Sequence, residues 1–230
     1  MLESLKQLPS LSAGITHFCT GNMRSWGRDS MISLRGLIFS TGRFAYARSV
    51  LVATAAMLWN GLLPNLLDSG HNPRYNCRDS CWWFLQALQD YCQLVPGGIA
   101  ILKHSIPCLF VDSEPPVAQD KMVQRRTMLK VILDILEHHI NGVSYREHNA
   151  GFNLDRDMHD EGFNVSVSVN AKTGFVQGGH RLNCGTWMDK NGRSMRPLRF
   201  VYNPYLFFEQ AHPRRAAMPV FPLRPATALR

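Results

Sequence analysis

The chain has 230 residues, of which 45% are hydrophobic and 18% are charged, and its formal net charge is +8 at pH 7. This length and composition are typical of one globular domain with a sizeable core, and they exclude a chain that is disordered throughout. No run of about 18 uncharged apolar residues is present, and the first residues lack a basic segment before an apolar one. We therefore expect neither a membrane span nor a signal peptide.

Helical periodicity appears four times along the chain, over residues 30–41, 43–59, 80–92 and 119–140. The second stretch is apolar on one side and stops at Asn60-Gly61. The third is apolar almost all round, which predicts a buried helix, and Asp79 is placed to cap its N-terminus. The body is therefore predicted to be mainly α.

The connections carry less regular patterns. Residues 1–25 are expected to be a loop, residues 64–76 are rich in Gly, Asn and Pro without periodicity, and residues 103–118 form a Pro-containing connection. Apolar and polar residues alternate strictly from Phe163 to Val169, and a turn at Asn170–Gly174 follows. This alternation predicts one small β-hairpin inserted among the helices.

The positive charge is concentrated at the C-terminal end. Residues 190–230 contain eight Lys and Arg against one Glu, a net of +7, which leaves only +1 for residues 1–189. We therefore expect no basic groove for specific nucleic-acid binding on the folded body. Six of the thirteen prolines also lie in 190–230, which predicts a disordered or loosely attached tail.

The cysteines argue against a metal centre. They include no Cys-x-x-Cys pair and no matching His spacing, and His138-His139 does not have the spacing of a helical metal-binding pair. We expect no zinc, and a reduced cytoplasmic protein is the simplest interpretation. The six positions are Cys19, Cys77, Cys81, Cys92, Cys108 and Cys184.

Three clusters combine Trp and Asp, two of them with Arg: Trp26–Asp29, Arg74–Asp79 followed by Trp82-Trp83, and Gly185–Asp189. A guanidinium and a carboxylate together satisfy the acceptor and donor atoms of sugar hydroxyls, and an indole covers the apolar face of a pyranose. The clusters therefore indicate carbohydrate binding. The alternative for any one of them is a buried Arg–Asp pair in the core.

Glycoside cleavage needs two carboxyl groups, one of which is an acid with a raised pKa. Asp189 follows Trp187 and Met188, and this apolar neighbourhood favours a protonated carboxyl. The alternative is an Asp in a surface turn, which the following Lys190-Asn191-Gly192 favours. The acidic clusters Asp155–Asp157 and Asp160-Glu161 are better explained as solvated faces or local Arg pairs.

Taken together, these motifs closely resemble the C-terminal amylo-1,6-glucosidase domain of eukaryotic glycogen debranching enzymes. The resemblance covers roughly residues 9–190, and its motifs are specific in combination. They are Trp26–Asp29, Leu34–Leu37, Gly42-Arg43, Gly61–Leu67, Arg74–Asp79, Trp82-Trp83, Asn149–Gly151, Asp160–Asn164, Thr173–Val176 and Asn183–Lys190.

The resemblance implies an (α/α)6 toroid that hydrolyses the single α-1,6-linked glucose at a branch point of limit dextrin by an inverting mechanism. Asp189 matches the general acid, and Arg28 and Asp29 match residues that hold the terminal glucose. The remaining matches line or support the same pocket: Trp26, Arg78, Asp79, Trp82, Trp83 and Trp187. The substrate implied is branched α-glucan in glycogen catabolism, with no metal or organic cofactor.

The chain departs from the family pattern after Lys190. The general base of the family is a Glu in a Gly-Pro-Glu-Trp-Leu-Trp-like motif, which has no match here, and Glu209 lacks the flanking residues. We therefore expect a partial glucosidase domain over 1–190, about half a toroid, and a divergent tail over 191–230. On this hypothesis the chain is truncated or aberrantly spliced, lacks the glucanotransferase half, and has little activity alone. The alternatives are a non-catalytic product that binds glucan or a protein, and nonspecific polyanion binding by the tail.

Overall fold

The structure is a computed structural model that describes residues 25–68, 72–110, 124–156, 158–183 and 185. Three predictions therefore fall largely or wholly on residues that are not described: the loop over 1–25, the beginning of the 119–140 helix and the C-terminal tail. Asp189 and Trp187 lie outside them as well.

The first predicted helix consists of two consecutive helical segments. Helix α1 spans Gly27–Ser33, and a π-helix, Leu34–Phe39, continues it directly. The wider π-helical turn is defined by bonds such as that from the Ser40 N–H to the Arg35 carbonyl, at 3.3 Å. Gly42 follows the π-helix with a φ of 69°, a left-handed conformation that ends the helix where the sequence predicted a stop.

Helix α2 spans Phe44–Ala56, close to the predicted 43–59. The expectation of a one-sided helix is wrong for its C-terminal half, where consecutive residues from Val50 to Val52 and from Thr54 to Ala56 are all buried. The reason is that α2 packs against several elements, namely α3 (Ser80–Leu94) and the segments Ser105–Pro107 and Met128–Asn141, so little of this half faces solvent.

Helix α3, Ser80–Leu94, is the buried helix that the sequence predicted, and its core includes Phe84 and Leu88. Asp79 occupies the N-cap position, but the prediction that it caps the helix is wrong. Its carboxylate makes no capping hydrogen bond and is bound by Arg28 instead. A charged fork is a stronger partner for a carboxylate than a backbone N–H.

Helix α4 spans Met128–Asn141, with the Thr127 hydroxyl accepting from the Lys130 N–H at 3.2 Å. The predicted 119–140 helix is therefore too long at its start. Residues Arg125–Thr127 form a strand, β5, that pairs antiparallel with β4, Ser105–Pro107. A 3₁₀-helix, Gly98–Lys103, leads into β4.

Two further antiparallel sheets complete the described residues. Strands β1, Ser25–Trp26, β2, Leu66–Asp68, and β3, Asn72–Arg74, form one sheet in the region predicted to be an aperiodic loop, so that prediction is wrong. The predicted hairpin is confirmed as β7, Asn164–Val169, and β8, Val176–Gly178, and β6, Val143–Arg146, adds a third strand. The predicted helices are thus accompanied by three small antiparallel sheets, where the sequence predicted a single hairpin.

One hydrophobic core joins these elements. Helix α3 packs against α1, α2 and the 3₁₀-helix, while α4 covers β7. Fully buried side chains come from every layer, among them Leu34, Leu51, Phe84, Ile135 and Val167. This core fixes the N-terminal ends of α1 and α3, where the predicted site residues lie.

Within the described ranges, no helix is long and apolar enough to span a bilayer.

Candidate functional site

The segment Arg74–Asp79 runs from the end of β3 to the N-cap of α3 and joins most of the predicted site residues. Its four central residues, from Tyr75 to Arg78, are buried. Five of its six residues bond to residues distant in the sequence, and Cys77 bonds to the nearby Ser80, as described below. A short segment with this many distant partners holds a fixed position, because each bond constrains it from another direction.

At the C-terminal end of the segment, Asp79 is bound by Arg28 of α1. Arg28 Nε donates to Asp79 Oδ2 and Arg28 Nη2 to Oδ1, both at 2.8 Å. The two side chains are 6% and 19% exposed, so this two-point contact is largely removed from water. It joins the first and second Arg–Asp–Trp clusters of the sequence. The buried Arg–Asp pair weighed as the alternative is thus present, but between clusters and not within one.

Gly27 allows this approach of α1. Its N–H donates to the Asn65 carbonyl at 2.7 Å, and a Cβ at Gly27 would lie 2.2 Å from the Pro64 carbonyl oxygen. Any larger residue would push the start of α1 away from the 64–65 backbone. Since Asn65 N–H in turn donates to the Arg74 carbonyl at 2.9 Å, the glycine links Arg28 to the start of the segment.

At the other end of the segment, Arg74 is held by two carboxylates. Its Nε and Nη2 donate to the two oxygens of Glu147 at 3.0 and 2.9 Å, and its Nη1 donates to Asp155 at 3.3 Å. Glu147 was missed by the sequence analysis, because no pattern links it to an arginine 73 residues away. Asp155 was expected in a solvated face or a local Arg pair, and its partner is the distant Arg74.

An aromatic cluster supports Tyr75. The Tyr145 hydroxyl donates to the Tyr75 carbonyl, and the Tyr75 hydroxyl donates to the Met57 carbonyl at 2.6 Å. The Trp59 ring lies between the two tyrosines, with centroid distances of 5.2 and 5.0 Å. Burial, followed by the nearby Glu147 charge, raises the pKa of Tyr145, so this hydroxyl stays protonated and keeps its donor role.

The middle of the segment bonds to three more places. Asn65 Nδ2 donates to Asn76 Oδ1 at 3.4 Å, and Cys77 Sγ lies 2.7 Å from Ser80 Oγ. The Arg78 N–H donates to the Gly185 carbonyl at 2.8 Å. Burial raises the pKa of Cys77 to about 12, which excludes a reactive thiolate at this position at neutral pH. The Arg78–Gly185 bond brings the first residue of the third cluster to the second cluster.

The remaining predicted residues fall into a buried and an exposed group. Trp82 is 3% exposed, and its ring packs edge-on against His139 with centroids 5.1 Å apart. Trp26 is partly buried in β1. In contrast, Asp29 is exposed, and Trp83 is 38% exposed in the first turn of α3. An exposed carboxylate and an exposed indole thus adjoin the buried residues in sequence.

The carboxylates bound to the segment are all paired with arginine, namely Asp79, Glu147 and Asp155. Such pairs position backbone and side chains, whereas a general base needs a carboxylate that can reach water. Across the residues with described positions, no group of three or more His, Cys, Asp or Glu side chains is placed to hold a metal ion. The three carboxylates paired with arginine therefore position this part of the chain.

Comparison with known proteins gives two results. The family model described as amylo-alpha-1,6-glucosidase matches residues 2–200. Over 192 residues, the chain is 48% identical to the glycogen debranching enzyme of Saccharomyces cerevisiae, a match that covers 82% of this chain and 12% of that protein. The chain thus spans a small part of the length of this relative.

Proposed function

Because the chain belongs to the amylo-alpha-1,6-glucosidase family, we propose that it contributes the glucose-holding and acid part of a glycosidase site acting on branched α-glucan. The bond cleaved would be the α-1,6 linkage of the single glucose at a branch point. The mechanism would be inverting, with about 6.5–9.5 Å between the two carboxyl groups to admit the attacking water.

The observation that carries this proposal is that residues of the first and second clusters, and the first residue of the third, bond to one another at one segment. Arg28 binds Asp79 through two bonds of 2.8 Å, and the neighbouring Arg78 N–H binds Gly185 at 2.8 Å. A structural Arg–Asp pair needs only two partners. The bond to Gly185 is not needed for that pair, and it supports a shared site because Gly185 begins the segment that carries Trp187 and Asp189 in the sequence.

In this proposal the paired residues position the site and the exposed ones contact the sugar. Arg28 and Asp79 fix the ends of α1 and α3, so that Asp29 and Trp83 offer a hydroxyl acceptor and an apolar face. Asp189 would be the general acid, with Trp187 beside it. It follows Gly185 by four residues in the sequence, a length that spans at most about 14 Å when extended.

The finer features of the family are part of the same proposal. Residues 1–190 would form the glucosidase-domain portion with the helix pairs of an (α/α)6 toroid, and 191–230 a separate segment. The protein would act in the cytoplasm, in glycogen catabolism. The four free cysteines among the described residues, Cys77, Cys81, Cys92 and Cys108, are compatible with a reducing compartment.

A second candidate function is glucan binding without turnover. The pairing of Asp79, Glu147 and Asp155 with arginine favours it, because these carboxylates are occupied and cannot serve as the water-activating base. On this alternative, the same site would hold a glucosyl end and release no glucose.

Two measurements separate these functions. The first is release of free glucose from phosphorylase limit dextrin by the full 230-residue chain and by Asp189→Asn. The second is binding of a short α-1,6-branched oligosaccharide by both proteins. Turnover that is abolished by Asp189→Asn, with binding retained, would support hydrolysis with Asp189 as the acid.

Binding by both proteins without glucose release would support the second function. A matched control is Asp160→Asn, which removes a carboxylate that is 82% exposed and pairs with Arg146 on the surface. We expect it to change neither measurement. Absence of both binding and turnover, in a chain that is folded by circular dichroism, would refute both functions.

A further inference from the structure

A second cluster of charged side chains lies away from the Arg74–Asp79 segment, where α2 meets the β4–β5 sheet. It consists of Arg48 on α2, His104 and Ser105 at the start of β4, and Arg125 on β5, and we call it the basic cluster. Arg48, Ser105 and Arg125 are exposed and His104 is partly buried. Nothing in the proposed glycosidase function uses these residues.

The hydrogen bonds of the basic cluster involve no carboxylate. Arg48 Nη2 donates to His104 Nδ1 at 3.0 Å, while Arg125 donates to Ser105 Oγ and to the Ser105 carbonyl, both at 2.8 Å. In the part of the chain with described positions, neither Arg48 nor Arg125 has an Asp or Glu within ion-pair distance. Two permanent positive charges are therefore held by neutral acceptors.

The bond from Arg48 also fixes the tautomer of His104. A guanidinium only donates, so Nδ1 accepts, and the neutral ring carries its proton on Nε2. The pKa of His104 is lowered, first by partial burial and then by the charges of Arg48 and Arg125. Both guanidinium groups are thus close enough to the imidazole to oppose its protonation.

From this arrangement we infer that the basic cluster binds a small oxyanion of the sulfate or phosphate-monoester class. Arg48 has four N–H groups left after its bond to His104, and Arg125 has three left after its two bonds. The Ser105 hydroxyl and His104 Nε2–H add neutral donors. An oxyanion is the ligand that takes up several such donors at once and offsets the repulsion between the two cations.

The β-ladder holds the donors together without the anion. Ser105 pairs with Thr127 and Pro107 with Arg125, so the side chains of Ser105 and Arg125 are diagonal neighbours on one face of β4–β5. The Met128 N–H donates to the His104 carbonyl at 3.0 Å, which anchors His104 to the start of α4. The donors are therefore fixed before binding, which lowers the entropic cost of binding an anion.

The test follows the His104 ring in the full chain by NMR, using histidine labelled with ¹³C at Cε1, with the signal assigned through His104→Gln. Sulfate is the first probe, because its charge is constant between pH 5 and 8. We expect a saturable shift of the His104 signal, and dissociation constants about tenfold or more higher in Arg48→Gln and in Arg125→Gln. Arg48→Lys and Arg125→Lys, which keep the charge but lose the fork, should lie between these variants and the parent chain.

The matched control is Arg156→Gln, which removes the same charge where Arg156 stacks on Phe152. If this variant weakens sulfate binding as much as Arg48→Gln, or if the His104 signal does not move, the inference is wrong. Comparing inorganic phosphate with glucose 6-phosphate then distinguishes a free anion from a sugar phosphate, and either ligand fits the site proposed.

Discussion

The Arg74–Asp79 segment and the basic cluster treat positive charge in opposite ways. Arg74 of the segment and Arg28, which binds Asp79, have side chains only 11% and 6% exposed and are bound by carboxylates at 2.8–3.3 Å. In the basic cluster, Arg48 and Arg125 are exposed and bound by an imidazole and a serine. Compensated charge in the interior positions the chain, whereas uncompensated charge at the surface is available to a ligand.

The largest effect is expected from removing a carboxylate of the segment. Glu147→Ala leaves the Arg74 guanidinium buried with only Asp155, at 3.3 Å, as its carboxylate partner. Because the guanidinium loses its two-point contact with Glu147 while it stays largely removed from water, we expect the free energy of unfolding to fall by about 3–5 kcal/mol in urea titrations. Asp160→Ala is the matched control, since its exposed pair with Arg146 contributes only about 0–1 kcal/mol. Equal losses in the two variants would contradict the role given to the segment.

A smaller effect is expected from His139, which tests burial without any compensating charge. His139 is fully buried against Trp82, its Nδ1–H donates to the Ile135 carbonyl at 2.7 Å, and its Nε2 has no partner within the described ranges. Burial lowers its pKa to about 4, so below the ordinary value of 6.5 the unfolded chain takes up a proton that the folded chain does not. The stability contribution is therefore complete above pH 6.5 and is lost as pH falls to about 4.

The size of this loss is about 3 kcal/mol over that range. It is measured as the difference in pH dependence of the unfolding free energy between the parent chain and His139→Phe, which keeps a ring against Trp82. The exposed His159 provides the control, as His159→Gln should retain the pH dependence of the parent chain. A parallel pH profile for His139→Phe and the parent chain would show that His139 titrates normally.

The coupling between Arg28 and Asp79 should be smaller again. A double-mutant cycle with Arg28→Met, Asp79→Asn and the double variant isolates their interaction from the effect of each substitution alone. For a two-point contact with side chains 6% and 19% exposed, we expect a coupling of about 2 kcal/mol. A coupling below about 0.5 kcal/mol is typical of exposed ion pairs. It would contradict the contrast between compensated buried charge in the segment and exposed charge in the basic cluster.

The parts of the fold that could be predicted are those with enough residues to show a period. The bounds predicted for helices α2 and α3 and for the β7–β8 hairpin lie within a few residues of those observed, because each is long enough for its apolar residues to form a recognisable pattern between clear stop signals. Strands β1, β2 and β3 were missed, since two or three residues are too short for an alternation. Strand β5 was predicted as part of a helix for a similar reason. Its three residues directly precede α4 and are too few to show where the helical pattern begins.

The candidate site divides in the same way. Arg28 and Asp79 belong to clusters that composition singles out and that the family resemblance assigns to one pocket, and the structure brings them into contact across 51 positions in the sequence. What could not be predicted is which acid each arginine binds. Asp79 was expected to cap α3, and Glu147 was not considered, because long-range pairing depends on tertiary packing and leaves no local signal.

The smallest effect has the opposite sign and separates the two regions most directly. Arg48→Gln and Arg125→Gln each remove one of two cations that repel each other and that no described carboxylate offsets. In contrast to charge removal in the segment, we expect each variant to raise the unfolding free energy, by about 0.5 kcal/mol at low ionic strength. The gain should disappear at about 1 M salt, where the Debye length is about 3 Å. A loss of stability in both variants, unchanged by salt, would mean that the hydrogen bonds to His104 and Ser105 outweigh the repulsion, and the basic cluster would then be a structural element like the segment.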